Sequence, residues 1–99
     1  MLLENQFQTQ LIQEIKRLLP DCIVLKNDPT YIQGFPDLLI LYEDRWAALE
    51  VKRSKDARHG NNQEYYVAIC DDMAYASFIY PENKEEVLHE LQQALQLDW

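Results

Sequence analysis

The sequence contains few of the residues that build nucleotide, zinc or disulfide sites. Only two glycines occur among its 99 residues, which excludes the glycine-rich loops that cradle nucleotide phosphates. The cysteines, Cys22 and Cys70, lie in apolar segments without zinc-type spacing, so we interpret them as free thiols in a reducing compartment. No apolar run approaches the length of a membrane span, and the N-terminal segment lacks the pattern of a secretion signal. We therefore expect one cytoplasmic domain over residues 1–99, with no nucleotide cofactor and no membrane partner.

Basic residues are also scarce. Nine lysines and arginines stand against seventeen aspartates and glutamates, which gives a formal net charge of −8. Because proteins bind DNA largely through a basic surface, this balance predicts weak and salt-sensitive affinity for nucleic acid. The charge also keeps open a different class of protein, an acidic, non-catalytic interaction protein or DNA mimic. Four of the nine basic residues nevertheless fall within seven positions: Lys52, Arg53, Lys55 and Arg58.

Hydrophobic periodicity predicts the element order α-β-β-β-α-β-α. The predicted elements are a helix over 3–19, strands over 22–25, 38–42 and 46–51, a helix over 61–73, a strand over 76–80 and a last helix that begins near 83. The segment from Cys22 to Leu25 is wholly apolar, so we expect a short buried strand there. Asn61 with Glu64, and Asn83 with Glu86, have the spacing of capping boxes at the starts of the second and third helices.

Three charged residues mark two consecutive strands. Asp37 stands at the start of one predicted strand, and Glu50 and Lys52 stand at the end of the next. Side chains alternate between faces along a strand, so Glu50 and Lys52 point the same way and Val51 points into the protein. The polar break at 43–45 predicts a hairpin turn, which brings Asp37 near Glu50. Two carboxylates and an ammonium group would then meet at one place, as metal-assisted attack on a phosphodiester requires.

The segments Gly34-Phe35-Pro36-Asp37 and Glu50-Val51-Lys52 resemble the motif of the PD-(D/E)XK nuclease superfamily, and most of all its small stand-alone VRR-NUC type of phages and prophages. The resemblance implies an α/β fold with a restriction-endonuclease-like core, in which helices flank a central mixed four-stranded sheet. It further implies a Mg²⁺- or Mn²⁺-dependent endodeoxyribonuclease that forms a homodimer in a bacterial host cell and cuts branched DNA such as Holliday junctions. Cleavage of flaps, or of duplex DNA without preference, is the alternative on the same chemistry.

The resemblance also implies roles for the motif residues. Asp37 and Glu50 would ligate the metal, and the backbone carbonyl of Val51 would be a further ligand. Lys52 would orient or activate the attacking water and stabilise charge that develops on the phosphate. The alternative for these residues is a solvated or ion-paired strand end, with the lysine shielding Glu50.

Residues outside the motif complete the expected site. The resemblance implies an acid on the first helix near the metal. Glu4 is favoured because it lies at the edge of the apolar face, while Glu14, or neither acid, remains the alternative. Gln63 would hold the motif carboxylates or a substrate phosphate, unless it is only an exposed polar residue of the second helix. Lys55 and Arg58 would contact DNA phosphates from a polar loop, or would be ordinary solvated charges.

Overall fold

A computed structural model describes residues 3–96, and its elements follow the predicted order. They are α1 (Glu4–Leu18), β1 (Ile23–Lys26), β2 (Leu38–Tyr42), β3 (Arg45–Val51), α2 (Gln63–Met73), β4 (Tyr75–Ile79), a 3₁₀ turn (Pro81–Asn83) and α3 (Lys84–Gln96). The predicted bounds are displaced from these by only one or two residues. None of the helices in this part of the chain is long and apolar enough to cross a membrane.

The strands form one mixed sheet in the order β1-β2-β3-β4. Strands β1, β2 and β3 pair antiparallel, and α2 returns the chain so that β4 lies parallel to β3. A two-residue turn joins β2 to β3, and Glu43 takes a left-handed conformation there with φ of 55°. The register pairs Leu38 with Leu49, which places the preceding Asp37 opposite the following Glu50.

The two faces of the sheet are covered to different extents. On one face, α1 and α3 bury the main core, whose fully enclosed side chains include Leu11, Ile15, Leu38, Ile40, Leu49 and Leu91. On the other face, α2 contacts β3 and β4 and encloses a smaller cluster of Ala48, Val67, Cys70 and Ala76. Consecutive residues of β3 therefore pack into different clusters, one on each face of the sheet, because side chains alternate along the strand.

Strand β1 is not the buried strand that its apolar sequence predicts. Ile23 is 55 % exposed and Leu25 is 44 % exposed, whereas Val24 packs against the main core. Within residues 3–96, the strand lies at the edge of the sheet and pairs only with β2. Helix α2 stands over β3 and β4, which leaves one face of β1 exposed to solvent. Periodicity alone could not separate this half-exposed edge strand from a buried one.

Both predicted capping boxes are absent. Helix α2 begins after Asn62, whose φ of 67° is left-handed and whose side chain caps nothing. Asn83 caps the 3₁₀ turn instead, because its side-chain oxygen accepts a hydrogen bond from Tyr80 N (2.9 Å) and its amide donates to Phe78 O (3.1 Å). Asparagine side chains bond whichever backbone groups lie nearest, and here those groups precede the helix.

Candidate functional site

The predicted acids meet where β2 begins and β3 ends. The Oδ2 atom of Asp37 accepts a hydrogen bond from the backbone nitrogen of Val51 (2.9 Å), which fixes the carboxylate across the two strands. The loop before Asp37 is fixed too, because the side-chain amide of Asn27 donates to Pro36 O (2.7 Å) and Asn27 N donates to Asp37 O (2.8 Å). Asn27 was not singled out from the sequence, where Asn27-Asp28-Pro29 indicated only a loop.

Glu50 is a buried carboxyl group with an unsatisfied oxygen. Its residue is only 2 % exposed, and its Oε1 atom has no hydrogen-bond partner in the described structure. Burial, and next the negative charge of Asp37, raise the pKa of Glu50 to about 8, although the Lys52 ammonium opposes the shift. A buried carboxylate held beside another acid is costly unless a cation joins them.

Lys52 is buried beside that acid and is held from three directions. Its residue is 6 % exposed. The Nζ atom donates to the side-chain oxygen of Gln63 (2.6 Å) and to the backbone oxygen of Arg58 (3.1 Å), and it lies 3.7 Å from Glu50 Oε2. The geometry agrees with strand alternation, since Glu50 and Lys52 share one face while Val51 is buried in the main core.

Gln63 contacts the lysine rather than the carboxylates. Besides accepting from Lys52, its Oε1 atom accepts a hydrogen bond from Gly60 N (2.7 Å), which ties the preceding loop to the start of α2. Gly34 allows the motif segment to lie close to the residues that precede α2. Its φ is 89°, and a Cβ atom there would lie 2.4 Å from Asn61 O. Only glycine permits this close approach without strain.

The structure separates the two candidate acids of α1. Glu14 forms an ion pair with Lys84 of α3 (3.1 Å), so its carboxylate serves the packing of these helices. Glu4 is exposed at the first turn of α1, and its charge is one of those that raise the pKa of Glu50. Glu14 is thus engaged with α3, which leaves Glu4 as the favoured candidate on α1.

The cations of the loop after β3 stay at the surface. Arg53, Lys55 and Arg58 are exposed, and Arg58 reaches the site only through its backbone oxygen. The side chain of His59 is about one-third exposed and stacks on Phe78 with ring centroids 4.0 Å apart. The loop after β3 thus carries three exposed basic side chains.

The donor set suits a hard divalent cation. Asp37, Glu50 and the Val51 carbonyl offer oxygen atoms, and the unpaired Glu50 Oε1 is an oxygen that a cation would satisfy. Among residues 3–96, no three Asp, Glu, His or Cys side chains gather closely enough to hold a metal by themselves. The remaining coordination positions would therefore fall to water and substrate, as is common for Mg²⁺.

Comparison with known proteins supports the fold. No protein-family model matches the chain, and no curated protein matches its sequence. A solved structure described as a "VRR_NUC domain protein" superposes with a TM-score of 0.73 and 19 % sequence identity, over 98 % of this chain and 91 % of that one. The chain therefore shares the fold of that VRR_NUC domain protein, and the predicted fold class and element order are confirmed.

Proposed function

We propose that this chain, with its VRR-NUC nuclease-type fold, is a divalent-metal-dependent endodeoxyribonuclease that uses Mg²⁺ or Mn²⁺. Its substrate would be branched DNA such as Holliday junctions. The observation that carries the proposal is the meeting of half-buried Asp37 with buried Glu50 and Lys52, in which one carboxylate oxygen of Glu50 is unpaired. A structural role alone does not account for burying an acid and an ammonium group beside a second acid, since ionised groups are costly to bury.

The motif residues would have separate roles in metal binding and in charge stabilisation. Asp37, Glu50 and the Val51 carbonyl would hold the ion. The carboxylate of Glu4 would add negative charge that acts on Glu50. A divalent cation bound there would lower the pKa of water and neutralise charge on the phosphate. Lys52 would place its ammonium group beside a non-bridging phosphate oxygen, where it offsets the charge that develops during hydrolysis.

Gln63 would position Lys52 rather than touch the phosphate. The lysine reaches its place by hydrogen bonds to Gln63 Oε1 and Arg58 O, so its ammonium group is oriented before substrate arrives. Preorganised charge in a water-poor site costs little rearrangement during the reaction. Lys55 and Arg58 would approach the flanking phosphates with their side chains, consistent with their exposure on the neighbouring loop.

A homodimer would present two such sites to the two strands of a junction. The face formed by Ile23, Leu25, Leu39 and Leu41, here called the β1–β2 face, supports this assembly. The register places these side chains on the same side of the sheet as α2, over the two strands that α2 does not cover. Ile23 and Leu25 are strongly exposed there. All four are uncharged in a chain of net charge −8. Two copies that meet there would bury apolar surface.

Leu25→Asp is expected to convert the dimer to a monomer, because it places a carboxylate at the centre of the proposed interface. Sedimentation equilibrium over a range of protein concentrations measures this directly. Gln13→Asp, which adds the same charge on exposed α1, is the matched control and should leave the dimer intact. A wild-type protein that is monomeric throughout, or a Leu25→Asp protein that stays dimeric, would remove this interface.

Cleavage of a labelled four-way junction, alongside linear duplex of the same sequence, tests the function. We expect the junction to be cut in Mg²⁺ or Mn²⁺, little cutting of the duplex, and none of either in EDTA. Lys52→Met protein purified identically controls for contaminating nucleases. Equal cutting of both DNAs would retain the chemistry and reject the junction preference. A folded wild-type protein that cuts neither DNA would reject the nuclease and favour the acidic interaction protein that the net charge allows.

A further inference from the structure

An aromatic pocket lies beside the motif, on the loop between β1 and β2. It has a volume of about 370 Å³ and is lined by Asn27, Asp28, Tyr31, Ile32 and Phe35. Tyr31 is 85 % exposed, the highest exposure among the large apolar side chains of the described residues. A tyrosine held so far out in water buries almost none of its ring in the protein. Its ring is therefore available to a ligand.

The walls of this pocket, here called the Tyr31 pocket, are tied to the segment that carries Asp37. Asn27 donates hydrogen bonds to Pro36 O and Asp37 O. The Oδ1 atom of Asp28 accepts from both the backbone nitrogen (2.8 Å) and the hydroxyl group (2.7 Å) of Thr30. These bonds fix both ends of the loop, so the pocket keeps a defined position relative to the candidate site.

The floor of the pocket is fixed to α2. The ring of Phe35 meets Tyr66 edge-on, with centroids 5.6 Å apart, and Tyr66 meets exposed Tyr65 at 5.1 Å. Gly34 holds this segment against the start of the helix through its close approach to Asn61. Phe35 therefore connects the pocket to the helix that supplies Gln63.

We propose that the Tyr31 pocket receives an unstacked nucleobase of the DNA strand that is cut, with the Tyr31 ring stacking on the base. The proposal rests on the nuclease function above, because that function supplies the substrate. Its basis on this chain is the combination of an exposed, anchored aromatic pocket and its attachment to the backbone of Asp37. Every base has a π-face, so stacking of this kind does not require a particular sequence.

The charge of the pocket favours a base over a phosphate. The side-chain amide nitrogen of Asn27 is committed to Pro36 O, which leaves its oxygen as an acceptor, and Asp28 contributes an exposed carboxylate. These acceptors complement the exocyclic amino groups of bases and repel phosphate oxygens. No lysine or arginine lines the pocket.

Stacking would also offset the weak electrostatic attraction of this acidic chain for DNA. With a net charge of −8, the protein gains little affinity from the phosphate backbone. Stacking of one base on an aromatic side chain contributes about 1–3 kcal/mol irrespective of that charge. Bases at a branch point are more easily unstacked than those within a continuous duplex. The pocket would therefore favour branched DNA over linear duplex without reading its sequence.

Binding of a fluorescently labelled junction and of linear duplex tests the pocket separately from cleavage. Fluorescence anisotropy is measured with Lys52→Met protein in Mg²⁺, and with wild-type protein in EDTA. Tyr31→Ala should weaken junction binding about tenfold and leave duplex binding unchanged. Tyr31→Phe keeps the ring and should restore the affinity, while Met73→Ala, which truncates an exposed apolar side chain elsewhere, should change nothing. Quenching of 2-aminopurine placed at the branch point should be lost only in Tyr31→Ala.

The salt dependence gives a second readout. Because no phosphate contact is removed, Tyr31→Ala should leave the slope of log Kd against log salt unchanged. Junction binding that is unaffected by Tyr31→Ala would overturn the pocket and leave the nuclease proposal standing. An equal loss for junction and duplex, or a shallower salt slope, would also overturn it, since Tyr31 would then contact the backbone. Failure of the parent protein to bind either DNA would overturn the proposed function and the pocket together.

Discussion

Replacing Lys52 with methionine is expected to lower the rate of metal-dependent DNA cleavage by at least about a hundredfold, because the site loses its only buried positive side chain among the described residues. Methionine has a similar length, so it should occupy the space of the lysine stem without a large cavity. The partners of the ammonium group, Gln63 Oε1 and Arg58 O, would lose one donor each. Single-turnover cleavage at saturating protein separates this loss of chemistry from a loss of binding.

The matched control is Lys16→Met, which removes the same charge from an exposed position on α1 and should cleave at the wild-type rate. Circular dichroism and thermal melting establish that both variants are folded. The expected pattern is a large fall in rate with a modest change in DNA affinity. A folded Lys52→Met protein that retains wild-type cleavage would remove Lys52 from the mechanism and would leave its burial to be explained by packing alone.

Replacing Glu50 with glutamine is expected to stabilise the metal-free protein and to abolish its response to Mn²⁺. The pKa of Glu50 is raised from 4.5 to about 8 in the folded chain, so folding favours the neutral carboxyl group. The folded protein binds more protons than the unfolded chain between these values. The free energy of unfolding therefore falls as the pH rises from about 4.5 to about 8. Glutamine has no charge to bury and should remove that fall, for a gain of a few kcal/mol at pH 8.

Urea unfolding of wild-type and Glu50→Gln protein between pH 5 and pH 8.5, in EDTA, measures this difference. The two curves should converge near the acid end and separate as the pH rises. Added Mn²⁺ should raise the melting temperature of the wild type, because a cation that binds only the folded carboxylates stabilises that state. Glu50→Gln should show little such rise. Glu82→Gln, at an exposed position, is the control for loss of one negative charge. A wild-type stability that does not decline with pH, or that Mn²⁺ leaves unchanged, would contradict this account of Glu50.

Local rules of the chain were enough to predict the candidate site in outline. Alternation along a strand put Glu50 and Lys52 on one face, and the short polar break between two apolar runs put Asp37 opposite Glu50. These inferences depend on backbone geometry over a few residues, which neighbouring elements do not alter. The element order was predictable for the same reason, since helical and strand periodicities persist over each whole segment.

The hydrogen-bond partners of individual side chains could not be predicted in this way. The capping boxes at Asn61 and Asn83 had the right spacing but did not form. The Asn83 side chain bonds backbone groups that precede the helix, and the residue before α2 is Asn62 rather than Asn61. The partner of Gln63 is a further example. Its oxygen lies on Lys52, across eleven residues, rather than on a carboxylate.

By itself, the sequence determined the order of the elements, the pairing of β2 with β3 and the meeting of two acids with a lysine, because all three follow from short-range backbone geometry. The tertiary structure alone decided that Glu14 pairs with Lys84, and that Glu50 is buried with an unpaired oxygen. It also decided that one face of β1 and the ring of Tyr31 remain in solvent. Each of these outcomes depends on where separate elements pack, and burial is set by that packing rather than by local composition.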